Sequence, residues 1–271
     1  WPGRGASRPP PPDRRRLYTD LASGTLTSPA NAVHTANAAL TAAALGLAPA
    51  EAARRARTLA WARGVDTEDV DGDADRTEAR NALGAIVGGS PAVVPHADGL
   101  RVYAGTGDGM LHAFDAGGDE RWAFVPAAFL THLDELRLGR ASGTRHAGLD
   151  AEVAALVVDA DADGTVRPET GDRAVLYFGL RRGGRAYLAV DVTDPDAPRR
   201  LWTLTPRELP ALGQTWATPV PARLTIAGTR QNAERRVVLL TGGHDPSQDV
   251  PRPRDRDRIG AALYLVDAYT G

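Results

Sequence analysis

The sequence predicts a mainly β protein forming part of a β-propeller: about three four-stranded blades, the last incomplete, after a small N-terminal helical hairpin. One phrase, an apolar run closed by Asp and a turn, recurs as Met110-Leu111-His112-Ala113-Phe114-Asp115, Ala186-Tyr187-Leu188-Ala189-Val190-Asp191 and Ala262-Leu263-Tyr264-Leu265-Val266-Asp267. Its Asp residues stand 76 residues apart each time. Two further β-rich runs precede each copy: Ser90 to Val94 and Arg101 to Gly105, then Glu152 to Val158 and Arg173 to Gly179, then Thr218 to Leu224 and Arg235 to Gly242. A Trp-bearing run follows the first two copies, at Trp122 and Trp202. Four short strands per unit, bounded by Gly and Pro, is the pattern of a propeller blade. The period is long for a blade, so loops must hold the surplus.

Composition narrows the function. At 271 residues and 42% hydrophobic content the chain can bury a sizeable core. A net charge of −2 offers no electrostatic footprint for nucleic acid or an anionic membrane. Cysteine is absent, which excludes disulfides, thiolate metal sites and Cys nucleophiles. No apolar run reaches the length of a membrane span, and the chain opens without the features of a signal peptide. Its last strand stops where a Trp-bearing strand is due, so the chain reads as a fragment of a longer protein.

Residues 1–80 are read as a linker, helical hairpin and acidic connector, and 81–271 as the blades. Residues 1–16, with Pro9 to Pro12 and five Arg, read as a linker. Ser28-Pro29 opens a first predicted helix that ends at Gly46. A second spans Pro49 to Arg63, with Glu51 in its first turn, Gly64 as its stop, and Ala52, Ala56, Leu59 and Ala60 as its apolar stripe. Blade one runs from about Ala85 to Val125, blade two from about Leu149 to Leu204 and the third from about Thr215, with a short helix over Ala127 to Leu138 between the first two.

The sharpest chemical signal is Asp159-Ala160-Asp161-Ala162-Asp163-Gly164-Thr165. Carboxylates at alternate positions with Gly after the third match the opening of a calcium loop, whose seventh position, Thr165 here, supplies a backbone carbonyl. Without a cation, carboxylates this close repel by roughly 1 kcal/mol per pair even in water. Position nine is Arg167 and position twelve Thr170, so closure falls to Glu169 or Asp172. A second alternating run, Asp69, Asp71, Asp73 and Asp75, is a weaker candidate because its Gly lies between carboxylates, and a solvated linker explains it equally well. His244, Asp245, Asp249, Asp255 and Asp257 are interleaved with Arg and Pro and read as a surface loop. The repeated Asp115, Asp191 and Asp267 are expected to fix turns, Trp122 and Trp202 to fill space between blades, and Gly105 to Gly109 to form a hairpin turn. No Ser, His and Asp set can be assembled from sequence order.

Several phrases, in order, resemble the PilC/PilY family of type IV pilus tip-associated adhesins and biogenesis proteins. They are Arg15 to Thr19, Ala62-Arg63-Gly64-Val65-Asp66, Ser90-Pro91-Ala92-Val93, and above all Val102 to Asp115. Gly179 to Tyr187 with Asp191 to Pro195, and then Leu263 to Asp267, follow. The resemblance implies the front of a C-terminal propeller, extracellular at the pilus tip or outer-membrane surface, whose calcium loop controls pilus extension and retraction. Asp159, Asp161 and Asp163 match that loop's first ligands, and Arg167 stands where the family has a carboxylate. Minor pilins and other tip components are the implied partners, with a host or surface ligand for adhesion. The competing readings are a quinone-dependent dehydrogenase propeller and an outer-membrane assembly scaffold. Against the dehydrogenase, the Asp-to-Trp spacings of 7 and 11 residues differ, where interlocking blades call for one value.

Overall fold

A computed structural model describes residues 9–86, 88–139, 148–149, 151–225, 234–249 and 259–271. Its strands form three antiparallel meanders that follow the predicted runs, with one short N-terminal strand added in parallel to the first. Strands β1 (Leu17–Tyr18), β2 (Ala92–His96), β3 (Gly99–Gly105), β4 (Leu111–Asp115) and β5 (Glu120–Phe124) form the first sheet, in the order β1-β5-β4-β3-β2. The second contains β6 (Ala154–Val158), β7 (Arg173–Gly179), β8 (Tyr187–Asp191) and β9 (Arg199–Leu204) in sequence order, and the third β10 (Val220–Thr225), β11 (Glu234–Thr241) and β12 (Leu263–Asp267). An edge strand of each sheet adjoins the next, β6 lying against both β2 and β10.

The repeat holds in register. Tyr103, Ala113 and Trp122 pair across β3, β4 and β5, as Tyr177, Ala189 and Trp202 do across β7, β8 and β9. A bulge follows the central Ala in both sheets. The Tyr–Trp ring centroids are 5.8 and 5.7 Å apart. The unequal spacings of 7 and 11 residues therefore lie in the turn alone, and the two Trp are equivalent, which removes the spacing objection to interlocked sheets. The repeated Asp residues cap their own turns. Asp115 accepts the N–H of Gly117 and Asp119, Asp191 the N–H and hydroxyl of Thr193, and Asp267 the N–H of Tyr269 and Thr270. Each indole then reaches into the next sheet's turn: Trp122 Nε1 donates to the Pro195 carbonyl at 2.7 Å and Trp202 Nε1 to that of Ala268 at 3.2 Å. Gly105 and Gly179 end corresponding strands where the chain entering the next sheet crosses closely; a Cβ would lie 2.4 Å from the Leu149 carbonyl oxygen and 2.6 Å from that of Thr215.

The N-terminal part departs from the helical hairpin. Only the second helix forms, as α1 (Ala52–Arg63), with Gly64 at φ 107° as its stop. Its buried residues are Thr58, Leu59 and Ala62, while Ala52 stays exposed, because the helix seats on a polar contact rather than an apolar stripe alone. Residues 28–46 contain only 3-10 turns at Pro29–Asn31 and Ala43–Leu45. The reason is side-chain competition: Asn31 donates to the carbonyls of Ser23 and Thr25, and Asn37 to those of Ala30 and Ala32, so backbone groups find partners outside a helix. The rim helix appears as a 3-10 stretch, Ala127–His132, running into α2 (Leu133–Arg137).

Residues 9–16 are also more than a linker. Arg15 is fully buried, bonding Glu120 at 2.8 and 3.0 Å and the Ala62 carbonyl at 2.9 Å, and so joins β5 to α1. Glu120 also bonds His112 Nδ1 at 2.7 Å, with Asp108 4.0 Å from the other ring nitrogen. Leu17, Leu26, Val33, Leu40 and Leu59 share one core with the first two sheets.

Burial alone would lower the His112 imidazole, but the carboxylates of Asp108 and Glu120 outweigh it and hold it above its ordinary value. Burial would raise Glu120, which His112 and Arg15 hold below the usual carboxylate range. The His112 contribution is complete below about pH 6.5 and is lost as pH rises through the raised value; that of Glu120 is lost as pH falls through its lowered one. Urea midpoints measured against pH should therefore peak between about pH 5 and 6.5, with the alkaline decline reduced in His112→Gln. Breaking the buried pair with Glu120→Gln should cost about 3–5 kcal/mol. Trp122→Phe strands the Pro195 carbonyl and should cost about 1–3 kcal/mol in the same assay, more than Trp202→Phe, because Tyr177 also donates to Ala268.

Candidate metal centres

The loop expected to bind calcium joins β6 to β7, so both its ends are pinned to paired strands. Asp159, Asp161 and Asp163 each bring a carboxylate oxygen within 4.8 Å of the others. The backbone builds this convergence with left-handed residues at Ala162 (φ 58°) and Gly164 (φ 84°). Asp159 accepts the Gly164 N–H at 2.8 Å, and Asp163 accepts the N–H and hydroxyl of Thr165 at 2.8 and 2.7 Å. The Thr165 hydroxyl holds Asp163 below its ordinary value. Desolvation within the loop, with Asp159 and Asp163 beside it, pushes Asp161 up. Arg167 forms an ion pair with Asp163.

The two expected closing residues stand apart from this trio in different ways. Glu169 is exposed in the 3-10 turn Pro168–Thr170. Asp172 is buried, accepting the Ala160 N–H at 2.7 Å on one oxygen and the Arg167 N–H and Thr170 hydroxyl at 2.9 and 2.6 Å on the other. It ties the loop's two ends together.

The acidic connector after α1 repeats part of this backbone 90 residues earlier: Gly72 (φ 79°) and Ala74 (φ 71°) stand where Ala162 and Gly164 do, while Asp69 (φ 55°) is left-handed and Asp159 is not. Asp69, Asp71 and Asp73 converge within 4.8 Å, and Asp69 accepts the Ala74 N–H as Asp159 accepts that of Gly164. Asp75 is not in the group; it bonds the N–H and hydroxyl of Thr77. A second trio forms through Asp71, with Asp66 and Glu78. The charges of Asp73 and Asp71 push Glu78 above its ordinary value. Asp66 and Glu78 lie outside the alternating run, and the local signal that could have marked them is their symmetric place at its two ends. In the third sheet, His244 Nε2 lies 2.9 Å from Asp249 Oδ1, while Asp255 and Asp257 fall outside the described residues.

No family model matches the chain. The type IV pilus biogenesis factor PilY1 of Pseudomonas aeruginosa strain PAK is 32% identical over 239 residues, which is 79% of this chain and 18% of that protein. PilY1 of P. aeruginosa strain PAO1 is 33% identical over 225 residues, 73% of this chain and 17% of that one. The chain belongs to the PilY family. A PilY1 homologue of Xylella fastidiosa is 37% identical over 155 residues, 53% of this chain and 12% of its own length. The crystal structure of the P. aeruginosa PilY1 C-terminal domain matches 64% of this chain and 28% of that one at 30% identity, with a TM-score of 0.41. This PilY-family chain thus spans less than a fifth of the length of the curated relatives it matches. No helix among its described residues is long and apolar enough to cross a membrane.

The β6–β7 loop offers a direct check on the role of Asp172. Asp172→Ala should accelerate hydrogen exchange at the Ala160 and Arg167 amides while leaving the ladder amides of β7 protected. Unchanged exchange at both loop amides would contradict the clasp.

Proposed function

We propose that this chain is part of a type IV pilus biogenesis factor located at the cell surface or pilus tip. The reading is carried by 32% identity across 79% of the chain to a protein of that name. Its three meanders are successive blades of a propeller in the larger protein, a reading supported by the adjacency of β2, β6 and β10 and by the Trp bridges from each sheet to the next. The partners are minor pilins and other tip components, with an adhesive ligand on a host or other surface, and the role is binding rather than catalysis.

Calcium regulates it through the β6–β7 loop. The converging donors there are hard carboxylate oxygens, which fit calcium better than a soft metal. Arg167 already neutralises Asp163, so a cation must displace a guanidinium to enter. This competition favours weak binding, in the range of extracellular modules at about 10⁻⁴–10⁻³ M, with occupancy acting as a switch between a loop clamped by Arg167 and one clamped by the ion.

Isothermal titration with calcium should give heat in the parent chain and less in Asp159→Ala, and tighter binding in Arg167→Ser; identical heats in the first two would defeat the calcium role. Deleting the parent gene should remove surface pili, and restoration by the Asp159→Ala protein should be weaker than by the unaltered one. Normal piliation in the deletion strain would sink the pilus reading, as dye reduction after reconstitution with a quinone cofactor would sink the non-enzymatic one.

A further inference from the structure

Two buried carboxylates in this fold, Glu120 and Asp134, are neutralised by arginines. Asp66 is buried as deeply, at 3% exposure, and among the described residues no guanidinium forms an ion pair with it. One of its oxygens accepts the Val70 N–H at 2.9 Å; the other, Oδ1, is buried with no hydrogen-bond partner. Arg80 feels the Asp66 charge but forms no ion pair with it: its terminal nitrogens donate to the carbonyls of Trp61 and Asn81, its guanidinium stacks on the Trp61 ring at 4.1 Å, and its Nε is buried with no hydrogen-bond partner. A buried, unsatisfied carboxylate oxygen is costly unless something positive meets it. Around Asp66 the chain gathers more negative charge: carboxylate oxygens of Asp71 and Glu78 lie within 4.8 Å of it and of each other.

We propose that the connector between α1 and the first sheet is a second calcium site, in which Asp66, Asp71 and Glu78 hold the ion and Asp69 and Asp73 adjoin through Asp71. The site lies at the neck of the loop. Val65 bridges Ala79, and the Asp66 N–H donates to the Glu78 carbonyl at 2.9 Å, so the first and last ligands come from paired backbone on either side of the loop. An ion there satisfies Asp66 and staples the end of α1 to the segment that leads into β2. Its ligands share none with the β6–β7 loop, so the inference stands whether or not that loop binds calcium.

The test uses the full chain with Asp159, Asp161 and Asp163 all changed to Asn, which isolates the connector. Calcium titration of this background should show one remaining site. Adding Asp66→Asn, which keeps the shape and an acceptor for Val70, should weaken it by about tenfold or more. Glu78→Gln serves as a second variant should Asp66→Asn melt early by circular dichroism. Calcium should also slow trypsin cleavage after Arg76, inside the loop, in the background chain and not in the ligand variants. Absence of binding in the background, affinity unchanged by both ligand substitutions, or cleavage insensitive to calcium would each overturn the proposal.

Discussion

The arrangement of the three sheets depends on where a buried indole N–H finds its acceptor. Trp122 and Trp202 are buried on the last strand of their sheets, and each meets its hydrogen-bonding requirement in a turn of the next sheet, the one after β8 for Trp122 and the one after β12 for Trp202. That turn is rigid because an Asp carboxylate at its start has tied down its own backbone amides. A loose turn could not present a carbonyl at a fixed place, so the Asp and the Trp form one device spread over two sheets. Packing then follows: the Tyr beside each Trp shares its cavity, and glycines at the strand ends let the crossing backbone approach.

Charge is handled in two contrasting ways. In the interior, carboxylates are matched. Asp134 receives Arg54, Arg137 and the Thr58 hydroxyl, and although burial opposes this, the partners hold it at about 2, so α1 and α2 are joined by an ionised group. Arg15, Glu120 and His112 do the same between the N-terminal segment, α1 and the first sheet. At the two acidic loops the balance is left open, and both share part of one backbone template that brings three alternating carboxylates together. The loops differ in what surrounds them: Arg167 partly neutralises one, and buried Asp66 deepens the charge of the other.

Much of this was legible in the chain itself. The strand runs, the capping role of the repeated Asp residues, the Gly64 stop and the convergence of Asp159, Asp161 and Asp163 all follow from patterns a few residues long. The first predicted helix failed for a reason equally local but easily outweighed by alanine content: Asn31 and Asn37 offered the backbone other partners. Arg15 gave no warning, since an Arg next to a proline run reads as solvated until Glu120, 105 positions away, is placed against it. Asp66 looked like one more acid in an acidic stretch.

By itself the sequence determined the elements and their repetition, because strand periodicity, turn chemistry and alternating carboxylates act between near neighbours. Only the tertiary structure decided which charges are buried, which carboxylate is left without a partner and which carbonyl each tryptophan reaches. Those outcomes depend on distant segments excluding water from the same place, and short-range patterns carry no record of it.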